Sequence, residues 1–300
     1  MQSPNPPLPL QLRINRMQTH RSRWINSTDP SNAGTLLKLE SSLAAFYTNP
    51  ENYYSEISFC SGAWRTDPTM THLAALAKNS TSILELGCGC ANILEHHPEI
   101  AGNYTGCDFS EEVISSNRDR FPASNFLTIG SSQFEENSQR LFDLVFSTFV
   151  IEHVVFPERF LEASVRQVKP GGLLAIRCPD FLTRGSLPSL RIGLSHDPLR
   201  QKLSKFRLLD FLFGVTDRFL FTPQKCRRLR NRTQVRPKFW INSDPACLYK
   251  SQYRPDYDAV YWTWDLEIIS ALESFGCSLL DTGHPTTGGR EIYIVVKKPG

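Results

Sequence analysis

Short apolar runs alternate with helix-length amphipathic segments through the middle of the chain. Ser82–Leu86 (SILEL), Tyr104–Asp108 (YTGCD), Phe126–Ile129, Phe142–Ser147 (FDLVFS) and Leu173–Cys178 are each four to six residues long. Apolar runs of this length predict strands buried on both faces, as in a parallel sheet. Helices are expected between them. One starts at Asn92. One follows Ser110 (SEEVISSNRDRF), where Ser110 caps and Glu111 and Glu112 complement the helix dipole. One runs from Pro157 to Val168, and Lys169-Pro170-Gly171-Gly172 then reads as a turn. Upstream, Thr35–Tyr47 has helical periodicity, and Asp67-Pro68 opens a second helix with Asp67 as N-cap. Downstream, Asp265–Phe275 is an amphipathic helix stopped by Gly276, and Cys277–Leu280 and Ile292–Lys297 read as a closing hairpin. The pattern implies an α/β fold: a doubly wound, mostly parallel seven-stranded sheet with an antiparallel last strand.

The βα rhythm stops at Pro179 and resumes near residue 261. Five segments are therefore expected. They are a disordered basic, Pro-rich tail (1–30), an N-terminal helical lid (31–66), a ligand-binding core (67–181), a substrate-side insertion (182–260) and a C-terminal completion of the core sheet (261–300).

Charge changes this picture only locally. The 300 residues carry a net +3, too little for the chain as a whole to read as a nucleic-acid binder. Residues 182–260, however, hold sixteen Lys and Arg against six Asp and no Glu. Eight scattered cysteines fit free thiols in a reducing cytosol, so a cytoplasmic location is expected. Cys88 and Cys90 have no second Cys or His pair at zinc spacing, so no metal site is expected. No run approaches the roughly 20 apolar residues of a membrane span.

The segment after the first expected strand reads Glu85-Leu-Gly87-Cys88-Gly89-Cys-Ala91-Asn92. Small residues at 87, 89 and 91 permit a tight turn and close approach of a ligand. A dinucleotide loop needs a glycine where Asn92 stands, so that match fails. Glu85 would repel a pyrophosphate and suits a cationic amino-acid ligand. Asp108 ends the second expected strand about 20 residues after the loop, where a carboxylate can accept hydrogen bonds from ribose hydroxyls. The simpler alternative is that Asp108 caps the following helix.

Four motifs in order, ELGCGCA, GCDFS, FDLVFSTFVIEHV and VKPGGLLAIRCPD, resemble the class I S-adenosylmethionine-dependent methyltransferases. Within them the chain resembles the ubiquinone/menaquinone-biosynthesis-like type 11 group, over about residues 65–181 and more loosely 262–298. The resemblance implies a Rossmann-like fold with S-adenosylmethionine as cofactor. It also implies site roles. Glu85 would meet the methionine ammonium, and Gly87, Cys88 and Gly89 would face the amino-acid and ribose parts. Asp108 would hold the ribose and Phe109 would pack on the adenine. Ser131 and Ser132 stand where the family often has an acid and a small residue near the adenine. Ser147 would lie beside the methionine. Ala91 replaces the last loop glycine, which requires a negative φ. Glu152-His153 falls in the active-site loop: a neutral His153 would take a proton from a substrate hydroxyl, or the pair would cap and orient the loop. Apart from the resemblance, Tyr53, Tyr54 and Trp64 precede the core and read either as a lid over the cofactor or as a plain hydrophobic contact of the N-terminal helices.

Arg227, Arg228 and Arg230 belong to the densest basic run of the insertion. Three readings stand: a cap for an anionic substrate group, contact with an anionic membrane surface for which the helix-like Phe206–Phe213 would supply an apolar face, or a solvated face. The expected function is methyl transfer to a small molecule, on a hydroxyl of a sugar-, lipid- or nucleotide-linked metabolite. The alternatives are a quinone-like ring acceptor and a non-catalytic cofactor-binding scaffold. Nucleic acid is not an expected partner.

Overall fold

The computed structural model describes residues 24–47, 66–129, 141–233, 237–249, 256–283 and 291–300. Ser131, Ser132, Tyr53, Tyr54 and Trp64 lie outside the described residues. Seven strands form the main sheet: β1 (Ile83–Leu86), β2 (Tyr104–Asp108), β3 (Asn125–Thr128), β4 (Phe142–Thr148), β5 (Val168–Pro179), β6 (Ser278–Leu279) and β7 (Glu291–Lys297). Their order is β3-β2-β1-β4-β5-β7-β6. Strands β1 to β5 are parallel, and β7 runs antiparallel to both β5 and β6. The first five strands thus follow the doubly wound 3-2-1-4-5 arrangement. Chain direction across the sheet reverses between β1 and β4, so the carboxyl ends of these two strands open the crevice where such folds bind ligands.

Helices cover both faces. On one, α1 (Ala33–Tyr47) buries Leu36, Leu39, Leu43 and Tyr47 in the same apolar cluster as Leu84 and Leu86 of β1. On the other, α2 (Pro68–Lys78) buries Met70, Leu73, Ala74 and Ala77 with Ile83. Asp67 caps α2, accepting from the Thr69 and Met70 amides at 2.9 and 3.2 Å. The crossovers are α3 (Asn92–His96), α4 (Glu111–Arg120) and α5 (Pro157–Gln167). Lys169 to Gly172 do not break the fifth strand as a turn would. They bulge it, so that Val168 pairs with Phe142 and Leu173 with Leu144. A Cβ on Gly172 would sit 2.9 Å from the Asp143 carbonyl oxygen, so only glycine fits there.

The insertion contains α6 (Phe181–Arg184), α7 (Leu199–Ser204), α8 (Leu208–Thr216) and α9 (Thr222–Thr233), before α10 (Asp265–Ser274) returns to the sheet. Trp24–Asn26, placed in the tail by the sequence, pairs antiparallel with Trp240–Asn242. Its Trp24 ring stands 4.0 Å from Trp262, and a small apolar cluster of Trp24, Phe181, Leu182, Cys226, Leu229 and Trp262 anchors the insertion beside the end of β5. Among the described residues no helix is long and apolar enough to cross a membrane.

Candidate active site

The loop after β1 turns back sharply because Gly87 and Gly89 adopt φ of +68° and +47°. Most L side chains avoid that region. Space forbids a side chain as well: a Cβ on Gly87 would lie 2.5 Å from Val150 Cγ2. The loops after β1 and β4 therefore touch at the switch point. Ala91, expected at negative φ, takes φ +51°. It must turn the chain into α3 without a glycine, and its buried methyl group packs in the apolar cluster beneath the loop.

Asp108 joins the third carboxyl end to this junction. Its Oδ2 accepts from the Gly89 amide at 3.0 Å and its Oδ1 from the Ser110 amide at 3.1 Å. It clamps the glycine loop as well as shaping the helix entry, while Ser110 caps α4 through the Val113 amide at 3.4 Å. Each carboxylate oxygen retains a second lone pair for a ligand. Burial pushes the Asp108 pKa up, against the pull of the loop amides. Cys88 is buried; its amide donates to the Cys107 carbonyl at 2.9 Å. Asn117, which the sequence did not single out, donates to the Gly89 carbonyl at 2.6 Å and braces the loop from α4.

Glu85 lies beneath the loop and accepts from the Tyr104 hydroxyl at 2.5 Å. Burial raises its pKa to about 8, the Tyr104 bond opposing and Asp108 adding to the rise. Without a ligand it is thus a neutral acid at pH 7, which a cationic group would ionise. Ser147, at the end of β4, is fully buried, and its hydroxyl has no hydrogen-bond partner among the described residues. Phe109 is half-buried and packs on the Tyr47 ring at 4.8 Å.

The loop after β4 carries Phe149 at φ +58°, with Arg177 of β5 5.0 Å from its ring centroid. Arg177 also pairs with Asp67 at 2.7 Å and Glu291 at 2.5 Å, tying the start of α2 and β7 to the strand beside the site. Its burial on a sheet strand was not legible from spacing alone. Next come Glu152 and His153. The Glu152 backbone carbonyl accepts from the Val260 and Tyr261 amides at 2.7 and 2.9 Å, which binds the loop to the end of the insertion. His153 Nδ1 lies 3.2 Å from Asp258 Oδ2, an oxygen that also accepts from the Tyr47 hydroxyl at 2.8 Å. Burial opposes a charge on His153, but Asp258 and Glu152 outweigh it and raise its pKa to about 10. The neutral imidazole expected from the sequence is therefore not the resting form; the imidazolium is. Tyr47 and Asp258, the partners that set this state, come from α1 and the insertion, far from the motif in sequence.

Glu152, His153 and Asp256 each offer a donor atom within 4.8 Å of the others, a spacing that could hold a divalent cation. In the structure the imidazolium supplies positive charge to this acidic cluster. Of the basic run, Arg230 is half-buried and close enough to lower the pKa of Asp180 at the end of β5, against the dominant effect of burial. Arg227 and Arg228 are exposed, and Lys225 lies 4.0 Å over the Trp24 ring. The structure thus brings one of the three expected arginines toward the sheet end.

Residues 84–176 match the family model described as a methyltransferase domain. The chain is 30 % identical over 95 residues to a ubiquinone biosynthesis O-methyltransferase of Hydrogenovibrio crunogenus, covering 30 % of this chain and 39 % of that protein. It is 26 % identical over 146 residues to a trans-aconitate 2-methyltransferase of Rhodopseudomonas palustris, covering 47 % of this chain and 56 % of that one. The chain thus spans about half the length, or less, of these curated relatives. Among solved structures it is similar to an S-adenosylmethionine-dependent methyltransferase from Clostridium acetobutylicum, at 12 % identity and a TM-score of 0.47, over 80 % of this chain and 96 % of that one. Over residues 84–176, strand order, switch-point loop and matched segment are together similar to a methyltransferase domain. The matched segment holds the glycine loop, Asp108 and His153, and ends before the insertion.

Proposed function

We propose that the chain transfers a methyl group from S-adenosylmethionine to a hydroxyl of a small acceptor, a sugar-, lipid- or nucleotide-linked metabolite. The observation that carries this is the convergence of three strand ends: Gly87 against Val150, and Gly89 held by Asp108. Such a junction suits a ligand with an amino-acid end and a ribose. Gly87, Cys88 and Gly89 lie along both parts. Asp108 receives the ribose hydroxyls on its remaining lone pairs, Phe109 packs on the adenine, and Ser147 lends its buried hydroxyl beside the methionine. Ser131 and Ser132 keep their proposed place near the adenine. A bound methionine ammonium would draw Glu85 into its ionised form.

The sulfonium is itself the electrophile, so the protein's work is in-line positioning and exclusion of water. His153, held as a cation by Asp258, orients the acceptor; as the methyl–sulfur bond breaks and the methyl–oxygen bond forms, the hydroxyl proton passes to the Asp256 carboxylate beside it. Asp258, held ionised by His153 and the Tyr47 hydroxyl, opposes a polyanion at this face. A neutral hydroxyl is therefore favoured over a polycarboxylate such as the named substrate of the trans-aconitate relatives. A quinone-like ring, as the name of the Hydrogenovibrio protein suggests, stays as the second reading, supported by a match over 95 residues. The test is transfer of label from methyl-tritiated S-adenosylmethionine into aqueous and organic fractions of a cell extract. Label in a small-molecule fraction that the Asp108→Ala variant fails to produce is expected. Cofactor binding without any transfer would leave the scaffold reading in its place.

A further inference from the structure

Helices α7 and α8 form a pair that is turned inside out. Their buried positions are Lys202, Asp210 and Gly214. Lys202, with no exposed surface, reaches Asp210 at 2.7 Å and the carbonyls of Ile192 and Ser195 at 2.5 and 2.9 Å. The polar interior is thus fully bonded and locks the pair in place. The apolar residues point the other way. Phe206 is 89 % exposed, Leu209 71 % and Phe219 63 %, with Leu208, Leu212 and Leu220 exposed beside them. Eight of the sixteen large apolar side chains exposed among the described residues fall between Leu203 and Phe221. A single turn of π-helix at Asp217–Phe221 continues the exposed run, with Phe219, Leu220 and Phe221 in succession.

Charge indicates what covers this crest. Residues 199–233 carry ten Lys and Arg against two Asp, a local +8 in a chain whose total is +3. Asp210 is buried against Lys202, and Asp217 accepts from the Gly193 amide at 2.7 Å, so both acids are turned to internal bonds. Arg200, Arg207 and Arg218 are exposed along the crest. Asp197, at 2.9 Å from Arg207, is a local counter-charge. Bulky Leu and Phe interleaved with Arg, over a polar interior, is the composition of an interfacial membrane anchor. A patch of this size on a water-facing surface marks an interaction site. We infer that the α7–α8 crest docks on an anionic lipid bilayer, inserting Phe206, Leu208, Leu209, Leu212, Phe219 and Leu220 between headgroups while the arginines meet lipid phosphates. The following helix, α9, packs against α6 at the end of β5, so docking would set the carboxyl edge of the sheet near the bilayer. An acceptor carried by lipid would then reach the site without leaving the membrane.

The test is sedimentation of the full chain with vesicles of phosphatidylcholine alone, and with phosphatidylcholine and phosphatidylglycerol in equal parts. Binding to the anionic vesicles only, reversed by high salt, is expected. Phe219→Ser with Leu220→Ser should weaken it about tenfold or more. Arg200→Glu with Arg218→Glu should weaken it on anionic vesicles in the same direction. Unchanged thermal melting checks that each variant folds, with Leu208→Ser and Leu209→Ser as a second apolar pair. No binding to anionic vesicles, or equal binding by wild type and variants, overturns the inference. So does a dimer in solution that the serine pair separates without any vesicle binding. Methyl transfer in solution is read separately, so either claim can fail alone.

Discussion

Replacing Gly87 by alanine should damage the protein in two separable ways. Its φ of +68° costs an L residue about 1–2 kcal/mol, offset by about 0.4–1 kcal/mol from a stiffer unfolded chain. The new Cβ would also meet Val150 Cγ2 at 2.5 Å, an overlap worth about 1–3 kcal/mol when the neighbour is packed. The total is about 1–5 kcal/mol. Val150→Ala alone removes two methyl groups from a half-buried side chain and should cost about 1 kcal/mol. In the double variant the overlap vanishes and only the backbone strain stays. The cycle should therefore show a coupling of about 1–3 kcal/mol that favours the pair. Urea unfolding of the four proteins, with equal slopes as the check on two-state behaviour, measures it. Additive losses would refute the close approach of the β1 and β4 loops, and with it the geometry of the site.

Burial holds Glu85 protonated up to about pH 8, whereas the unfolded chain releases that proton near 4.5. Its contribution to stability is therefore complete at low pH and is lost as pH rises through that window, by at most about 1.4 kcal/mol per pH unit. Glu85→Gln should flatten the pH dependence of the urea midpoint between pH 5 and 8, and an unchanged slope would count against a buried neutral acid. His153 behaves with the usual sign of a raised histidine: its stabilising charge is complete below its ordinary pKa and is lost as pH rises through about 10. NMR titration should find it protonated at pH 8 in the wild type, with its midpoint lowered by about a unit or more in Asp258→Asn. At Ala91, φ +51° and a fully buried methyl group leave room for glycine but not for a branched side chain. Ala91→Gly should stay within about 1 kcal/mol of wild type, because relief of strain offsets lost burial and added chain freedom. Ala91→Val should cost about 2 kcal/mol or more, and a stable valine variant would rule out the left-handed turn.

The strands of the core were legible because burial on both faces leaves uninterrupted apolar runs, and because Asp67 and Ser110 announce their helices through backbone amides next to them in sequence. The glycine loop and Asp108 were legible for the same local reason. What escaped sequence reasoning depends on contacts distant along the chain. The charge of His153 is set by Asp258 and Tyr47, and the loop after β4 is fastened by amides at 260 and 261. Ala91 was misjudged because its backbone follows from the turn into α3 rather than from its own preference. The strand at Trp24–Asn26 looked like tail because three residues carry no periodicity, and its partner lies more than two hundred positions away. In the insertion, the apolar face over Phe206–Phe213 was legible, but not that the buried side of the α7–α8 pair holds Lys202 and Asp210.

Calorimetric titration with S-adenosylmethionine and S-adenosylhomocysteine, on the wild type and on Asp108→Ala, tests the central claim most directly. The wild type should bind both at one site per chain. The variant loses the clamp on the Gly89 amide together with the ribose acceptor, and should bind at least a hundredfold more weakly, about 3 kcal/mol, while keeping its fold by circular dichroism. A folded wild-type protein that takes up neither ligand, or an Asp108→Ala variant that binds as tightly as wild type, would contradict the account.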